Sequence, residues 1–98
     1  AAIGVASILP AKNAAFSNIE ILMVDSTDHV TPKTGLTLTA TRSIDGGAFA
    51  ACANSVSEVS SGFYKIDFAA TDLNGRDVSF LFTATGCKPT AVTVITEP

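Results

Sequence analysis

The chain has 98 residues, a length that suits one domain rather than two. Hydrophobic residues make up 47% of it and charged residues 15%, which excludes an intrinsically disordered chain. The net charge of -3 and the scattered basic residues argue against nucleic-acid binding, which usually requires a basic patch.

The N-terminal stretch is small and apolar, and Pro10 interrupts it before any helical period develops. We expect residues 1–15 to form an extended N-terminal arm, followed by a single domain over residues 16–98. The candidate partner-binding side chains of the arm are Ile3, Val5, Ile8 and Leu9. The apolar run over residues 1–9 is far shorter than the roughly 20 residues of a membrane span, and it lacks the basic start of a signal peptide.

The first predicted strand covers residues 16–24, FSNIEILMV. Its alternation predicts one apolar face, formed by Ile19, Ile21 and Met23. The other face also becomes apolar, at Leu22 and Val24, so we expect the second half of this strand to be covered on both sides. The Asp, Ser, Thr and Pro residues that follow, up to Gly35, predict a long surface loop.

The clearest element is a hairpin over residues 35–50, GLTLTATRSIDGGAFA. Apolar residues from Leu36 to Ala40 alternate with threonines, which predicts a strand with one face towards a core. Asp45-Gly46-Gly47 predicts the tight turn, with positive φ at Gly46 or Gly47. The return strand is expected to begin at Ala48.

Further short strands follow, separated by turns. The sequence predicts a short or bulged strand around Val56 and Val59, strands over 63–68 and 78–84, and a last strand over 91–96. The connection over residues 69–77 is polar and is expected to hold at most one helical turn. About seven short strands at this spacing predict an all-β fold, an Ig-like Greek-key β-sandwich of antiparallel strands, with a small jelly roll or barrel as the alternative.

Candidate catalytic and metal-binding residues are sparse. His29 is the single histidine, and Asp25 and Asp28 beside it are more typical of a hydrogen-bonded turn than of a metal site or an acid–base pair. An oxygen cage formed by Asp72, Asn74 and Asp77 is a weaker possibility, because the spacing fails the EF-hand pattern. We therefore assign no catalytic residue, no metal and no cofactor, and we expect a protein that is not an enzyme.

Cys52 and Cys87 are too few for a disulfide scaffold. We expect two partly buried free thiols, although the spacing also permits one bridge between strands. The aromatic residues on the predicted strands are expected to pack in the core rather than to form a sugar-stacking platform.

Several stretches resemble a family of small bacteriophage virion-associated β-sandwich domains. Such domains often contain DSTDG.TP.TGLT, an apolar-Gly-aromatic-Tyr strand, ATDTN and ATGADPT. The corresponding stretches here are residues 25–37, 62–68, 70–74 and 84–90. His29 and Cys87 stand where that pattern commonly has Gly and Ala.

The resemblance implies a non-enzymatic structural protein located in the virion, an Ig-like module on the head or the tail. Capsid decoration is the first expectation, and a tail, fibre or baseplate module that binds a neighbouring protein or a host-surface glycan is the alternative. The implied partners are other virion proteins, including further copies of this chain. Neither a membrane nor a nucleic acid is an expected partner.

Overall fold

The computed structural model describes residues 10–96. They form seven β-strands and one 3-10 turn, in an almost entirely β structure. The strands are β1 (Phe16–Leu22), β2 (Thr39–Ile44), β3 (Ala50–Ala51), β4 (Ser57–Ser60), β5 (Phe63–Phe68), β6 (Asp77–Thr83) and β7 (Thr90–Ile95), with the 3-10 turn at Ala70–Leu73 between β5 and β6.

The strands form two antiparallel sheets, in the orders β1-β5-β4 and β3-β2-β6-β7. Each of the hairpins β2–β3, β4–β5 and β6–β7 lies within a single sheet. The connections β1–β2, β3–β4 and β5–β6 cross from one sheet to the other. This order is that of strands B-E-D and C′-C-F-G in an immunoglobulin-type sandwich. The prediction of an Ig-like Greek-key sandwich is therefore confirmed.

The core lies between the two sheets and follows from strict alternation in β5 and β6. The side chains of Tyr64, Ile66 and Phe68 point inward from β5, and those of Val78, Phe80 and Phe82 point inward from β6. The rings of Phe68 and Phe80 are stacked, with centroids 3.9 Å apart. The two-residue alternation of residues 63–68 and 78–84 in the sequence already places these same side chains on one face of each strand.

The turn of the central hairpin is confirmed, but both of its strands begin later than predicted. Asp45 and Gly46 have φ of 50° and 77°, and the Gly47 N–H donates to the Ile44 carbonyl over 2.9 Å, which is a type I′ arrangement. However, β2 begins at Thr39 rather than Leu36, and the return strand begins at Ala50 rather than Ala48. Leu36 and Leu38 still pack against the core from the segment that crosses between the sheets.

The first strand also differs from its prediction. It ends at Leu22. The Met23 N–H still donates to the Gly62 carbonyl, in register with β5, and the Met23 carbonyl accepts from the Lys33 N–H of the following loop. Leu22 is 39% exposed, so the expectation that this half of the strand is covered on both faces is wrong. Leu22 points to the outer face of its sheet, as its partner Phe63 on the central strand β5 does, and both side chains are exposed there.

Backbone contacts join the two sheets beyond the end of β1. The Val24 carbonyl accepts from the Lys88 N–H, and Asp25 forms an antiparallel bridge with Cys87. The Thr90 hydroxyl, at the start of β7, donates to the Leu22 carbonyl over 3.1 Å. These contacts hold the end of β1 beside the beginning of β7.

Residues 10–15 lie against the opposite end of the sandwich. Pro10 is buried, and the Asn13 N–H donates to the carbonyl of Leu73, over 2.8 Å. The Thr96 N–H, directly after β7, donates to the carbonyl of Arg76, three residues beyond Leu73. The chain therefore enters the domain close to the point where β7 ends.

Candidate functional site

The four arm residues predicted to bind a partner, Ile3, Val5, Ile8 and Leu9, lie outside the described residues. The facing edges of β1 and β7 begin near the described residues 10–15, and we call these edges the β1/β7 seam.

The β1/β7 seam runs between the two ends of the sandwich already described. One end is joined by the hydrogen bonds around Val24 and Lys88, and Asn13 lies at the other end, against Leu73. Within residues 10–96, β1 pairs with β5 and β7 pairs with β6, so each strand has one neighbour and one free edge. A free edge presents unpaired backbone N–H and C=O groups that can accept another strand.

The β7 edge is regular and uncharged. Its sequence, TAVTVI, contains no charge, proline or glycine, and its pairing with β6 keeps one register throughout. Charged residues, prolines and bulges normally protect an edge strand from further pairing, and β7 has none of them. In contrast, β1 has a register irregularity between Phe16 and Ile19, with Asn18 at a φ of 62°.

The register identifies which groups of β7 point to the free edge. The Thr96 N–H donates to Arg76, and hydrogen-bonded pairs alternate along an antiparallel ladder. The N–H and C=O groups of Ala91, Thr93 and Ile95 therefore point away from β6. On the inner face, Val92 and Val94 of β7 and Ile19 of β1 pack against the core but remain partly exposed.

A buried charged pair lies on the other side of the sandwich. The Arg42 Nε, on β2, is 3.0 Å from Oδ1 of Asp72, which is fully buried on the 3-10 turn. Nε does not meet the geometry of a hydrogen bond there, but the other end of the guanidinium donates to the Ala51 carbonyl over 2.8 Å. The Asp72 carboxylate also accepts from the backbone N–H groups of Ala53 and Ala69.

This pair connects three parts of the fold: β2, the segment after β3, and the turn between β5 and β6. Both charges are engaged by neighbouring groups, so the pair ties these three parts of the fold together. The weaker prediction that Asp72, Asn74 and Asp77 form an oxygen cage gains no support, because Asp72 faces Arg42 in the interior while Asn74 and Asp77 are exposed. Across residues 10–96, no cluster of three or more His, Cys, Asp or Glu side chains is placed to hold a metal ion.

The two cysteines are free thiols, one half-buried at Cys52 and one buried at Cys87. Burial raises the pKa of Cys52 to about 11, and the negative charge of Asp72 acts in the same direction. Arg42 opposes this shift. A thiol with such a pKa is protonated and a poor nucleophile at neutral pH.

His29 belongs to a self-contained turn. Its backbone N–H donates to the Asp25 carbonyl, and its φ is 59°. The Asp28 carboxylate accepts from the Thr31 hydroxyl and from the backbone N–H groups of Thr31 and Val30, and these hydrogen bonds lower the pKa of Asp28 to about 2. The Asp28 carboxylate therefore stabilises the loop, in agreement with the predicted hydrogen-bonded turn.

The aromatic residues are mostly in the core, as predicted, with two that are not. Phe63 on β5 and Phe49 before β3 are 43% and 54% exposed. Phe63 pairs with Leu22 across β1 and β5, so the outer face of this sheet carries an adjacent apolar pair. Such a pair is too small to define a binding site by itself.

No protein-family model, curated protein or solved structure matches the chain. In the described part of the chain, no helix has the length and apolarity required to cross a membrane.

Among the described features, the β1/β7 seam combines a free backbone edge with partly exposed apolar side chains. Sequence reasoning missed the β7 edge as a candidate site. The available signal was the absence of any charged residue from Thr90 to Thr96, which is unusual for an edge strand. It also missed the pairing of Arg42 with Asp72, which are 30 positions apart, and no local pattern indicates that pairing.

Proposed function

We propose that this chain is a non-enzymatic structural protein of a bacteriophage particle. It would be an Ig-like module attached to the virion, with capsid decoration as the first candidate location. Its N-terminal arm, through Ile3, Val5, Ile8 and Leu9, would anchor the module to neighbouring virion proteins.

One observation carries this proposal. The stretches that resemble virion-associated domains coincide with the elements that determine this architecture. Residues 25–37 include the turn capped by Asp28, residues 62–68 include β5, and residues 70–74 contain the buried Asp72. Residues 84–90 include the turn that contacts the end of β1. The shared pattern therefore specifies a whole sandwich rather than an isolated motif.

The β1/β7 seam supports a role in assembly. A free strand edge binds through main-chain hydrogen bonds and needs few specific side chains. Repeated weak contacts of this kind become effective when many copies are held on one particle.

A tail, fibre or baseplate module remains the second candidate. The observation in its favour is the exposure of Phe49 and Phe63, because exposed aromatic rings can stack on sugars of a host-surface glycan. Saturable binding on a glycan array, lost in Phe49→Ala or Phe63→Ala, would favour this candidate.

The direct test is to purify particles of the phage that encodes the chain, separate heads from tails, and quantify the chain in each fraction by mass spectrometry. Capsid decoration predicts a fixed ratio to the major capsid protein in the head fraction. The alternative predicts the chain in tails. Its absence from both fractions, with an abundant host protein as the measure of contamination, would contradict a virion role.

A further inference from the structure

We propose that the β1/β7 seam of one copy receives residues 1–9 of a neighbouring copy, which pair as an additional strand with the free edge of β7. This inference rests on the proposed function, because it names the partner of the arm in an assembly of identical modules. The docking site is the β7 edge, and the occupant is a second copy of this chain.

The free edge of β7 has the features that favour pairing with another strand. The backbone groups of Ala91, Thr93 and Ile95 point to the free side of β7, and the strand is regular and neutral. An incoming strand would meet no charged side chain on β7 and no irregularity. Such an edge favours strand addition.

The inner side of the β1/β7 seam is incompletely covered. Val92 and Val94 on β7 and Ile19 on β1 contact the core but keep part of their surface exposed. An added strand with apolar residues at alternate positions would cover them. In residues 1–9, Ile3, Val5 and Leu9 occupy such positions, with Ser7 between them and Ile8 on the opposite face, and the segment carries no charged side chain.

Residues 1–9 are long enough to pair along the whole edge of β7. Nine residues in an extended conformation reach about 30 Å, and the six residues of β7 span about 20 Å. The segment can therefore pair along the whole edge and keep a few residues for the crossing between copies. It enters the described domain at Pro10, and the residue before a proline favours an extended conformation.

The identity of the copies explains why a neighbour can be the donor. Every copy carries both the segment and the edge, so exchange between copies forms the same contacts as closure within one copy. On a particle, adjacent modules are held at high effective concentration, which favours exchange. Closure within one chain is the competing arrangement that the experiment must exclude.

The test uses the full chain with two substitutions at one position. Thr93→Pro removes an N–H that points to the free edge and that the ladder with β6 does not use. Thr93→Ala keeps this N–H, and both variants lose the contact between the hydroxyls of Thr93 and Ser79. Light scattering after size-exclusion chromatography, over a range of protein concentrations, reports the association.

We expect the parent chain and Thr93→Ala to associate with the same dissociation constant. For Thr93→Pro we expect a dissociation constant about tenfold higher or more, because one edge hydrogen bond is lost. Val5→Asp provides a second route, since it alters the donor segment and leaves β7 intact. It should also weaken association, even if Thr93→Pro proves unable to fold.

A parent chain that is monomeric at every concentration would overturn the proposal, and so would association that neither Thr93→Pro nor Val5→Asp weakens. Failure here is distinguishable from failure of the proposed function, because the presence of the chain in purified particles is measured independently. A chain found in particles but monomeric in solution would retain the virion role and reject exchange between copies.

Discussion

Arg42 and Asp72 form an ion pair, with Nε and Oδ1 3.0 Å apart. Arg42 lies on β2, an inner strand of the four-stranded sheet, and Asp72 lies on the 3-10 turn that precedes β6. Asp72 is fully buried, and it also accepts from the Ala53 and Ala69 N–H groups. Its carboxylate therefore joins segments that the chain brings together only when the sandwich is complete.

Replacing this carboxylate should be costly. Asp72→Ala leaves the Arg42 charge without its partner and two backbone N–H groups without an acceptor, so we expect a loss of about 3–5 kcal/mol in the free energy of unfolding. Urea denaturation provides the measurement. Asp77→Ala, at an exposed aspartate nearby in sequence, is the control and should change stability by less than about 0.5 kcal/mol. Equal effects of the two substitutions would show that the ion pair does not stabilise the fold.

The type I′ turn gives a second prediction. Gly46 has a φ of 77°, which a β-branched side chain adopts only with strain. Gly46→Val should destabilise the protein by about 1 kcal/mol or more, whereas Ala48→Val, at an exposed position in the same connection, should have little effect. Thermal unfolding of both variants provides the comparison. An unchanged melting temperature for Gly46→Val would contradict the turn.

The third prediction concerns Cys52. Its pKa in the folded protein is raised to about 11 from an ordinary value of 9.0. Because the folded state holds this proton more tightly, the resulting stabilisation is present below pH 9 and is lost as the pH rises through about 11. The stability difference between the parent chain and Cys52→Ala should therefore shrink over this interval. A difference that does not change with pH would contradict the shift.

The same pKa predicts slow chemistry at this thiol. A pKa raised from 9.0 to about 11 leaves roughly 100-fold less thiolate near neutral pH, so alkylation of Cys52 should be slower by about that factor than in the urea-unfolded chain.

If the chain assembles in bacterial cytoplasm, as the proposed virion role implies, intact mass without reductant should show both cysteines as free thiols. A bridge between Cys52 and Cys87 would contradict this expectation.

The fourth prediction concerns residues 1–9. If this segment binds a partner, a variant that lacks it should keep nearly the same melting temperature when monomeric and should lose assembly or particle binding. The Asp77→Ala variant, with its complete N-terminal segment, serves as the control for both measurements. A large loss of monomer stability with binding retained would show that the segment belongs to the core of its own domain.

Much of the sandwich could be predicted from sequence because alternation is a local signal. Residues 63–68 and 78–84 specify which side chains face the core without reference to any other strand, and Asp45-Gly46-Gly47 specifies the turn through backbone conformation alone. These are the elements for which the predictions hold most closely.

The errors occur where distant contacts decide. Leu36 and Leu38 alternate as in a strand, yet the Leu36 N–H donates to the Tyr64 hydroxyl, and the segment crosses between the sheets instead of pairing. Similarly, Leu22 remains partly exposed because it lies on the outer face of its sheet beside the exposed Phe63, and its own sequence cannot indicate whether another layer covers that face. The buried pairing of Asp72 was unpredictable for the same reason, since its partner lies on another element.

Imaging of intact particles by cryo-electron microscopy is the most direct test of the proposal that this module is a structural part of a phage particle. We expect density for an Ig-like sandwich at regularly repeated positions, on the capsid surface or along the tail, with the seven-stranded arrangement of residues 10–96 fitting that density. Particles in which every density is explained by other proteins, and from which this sandwich is absent, would contradict it.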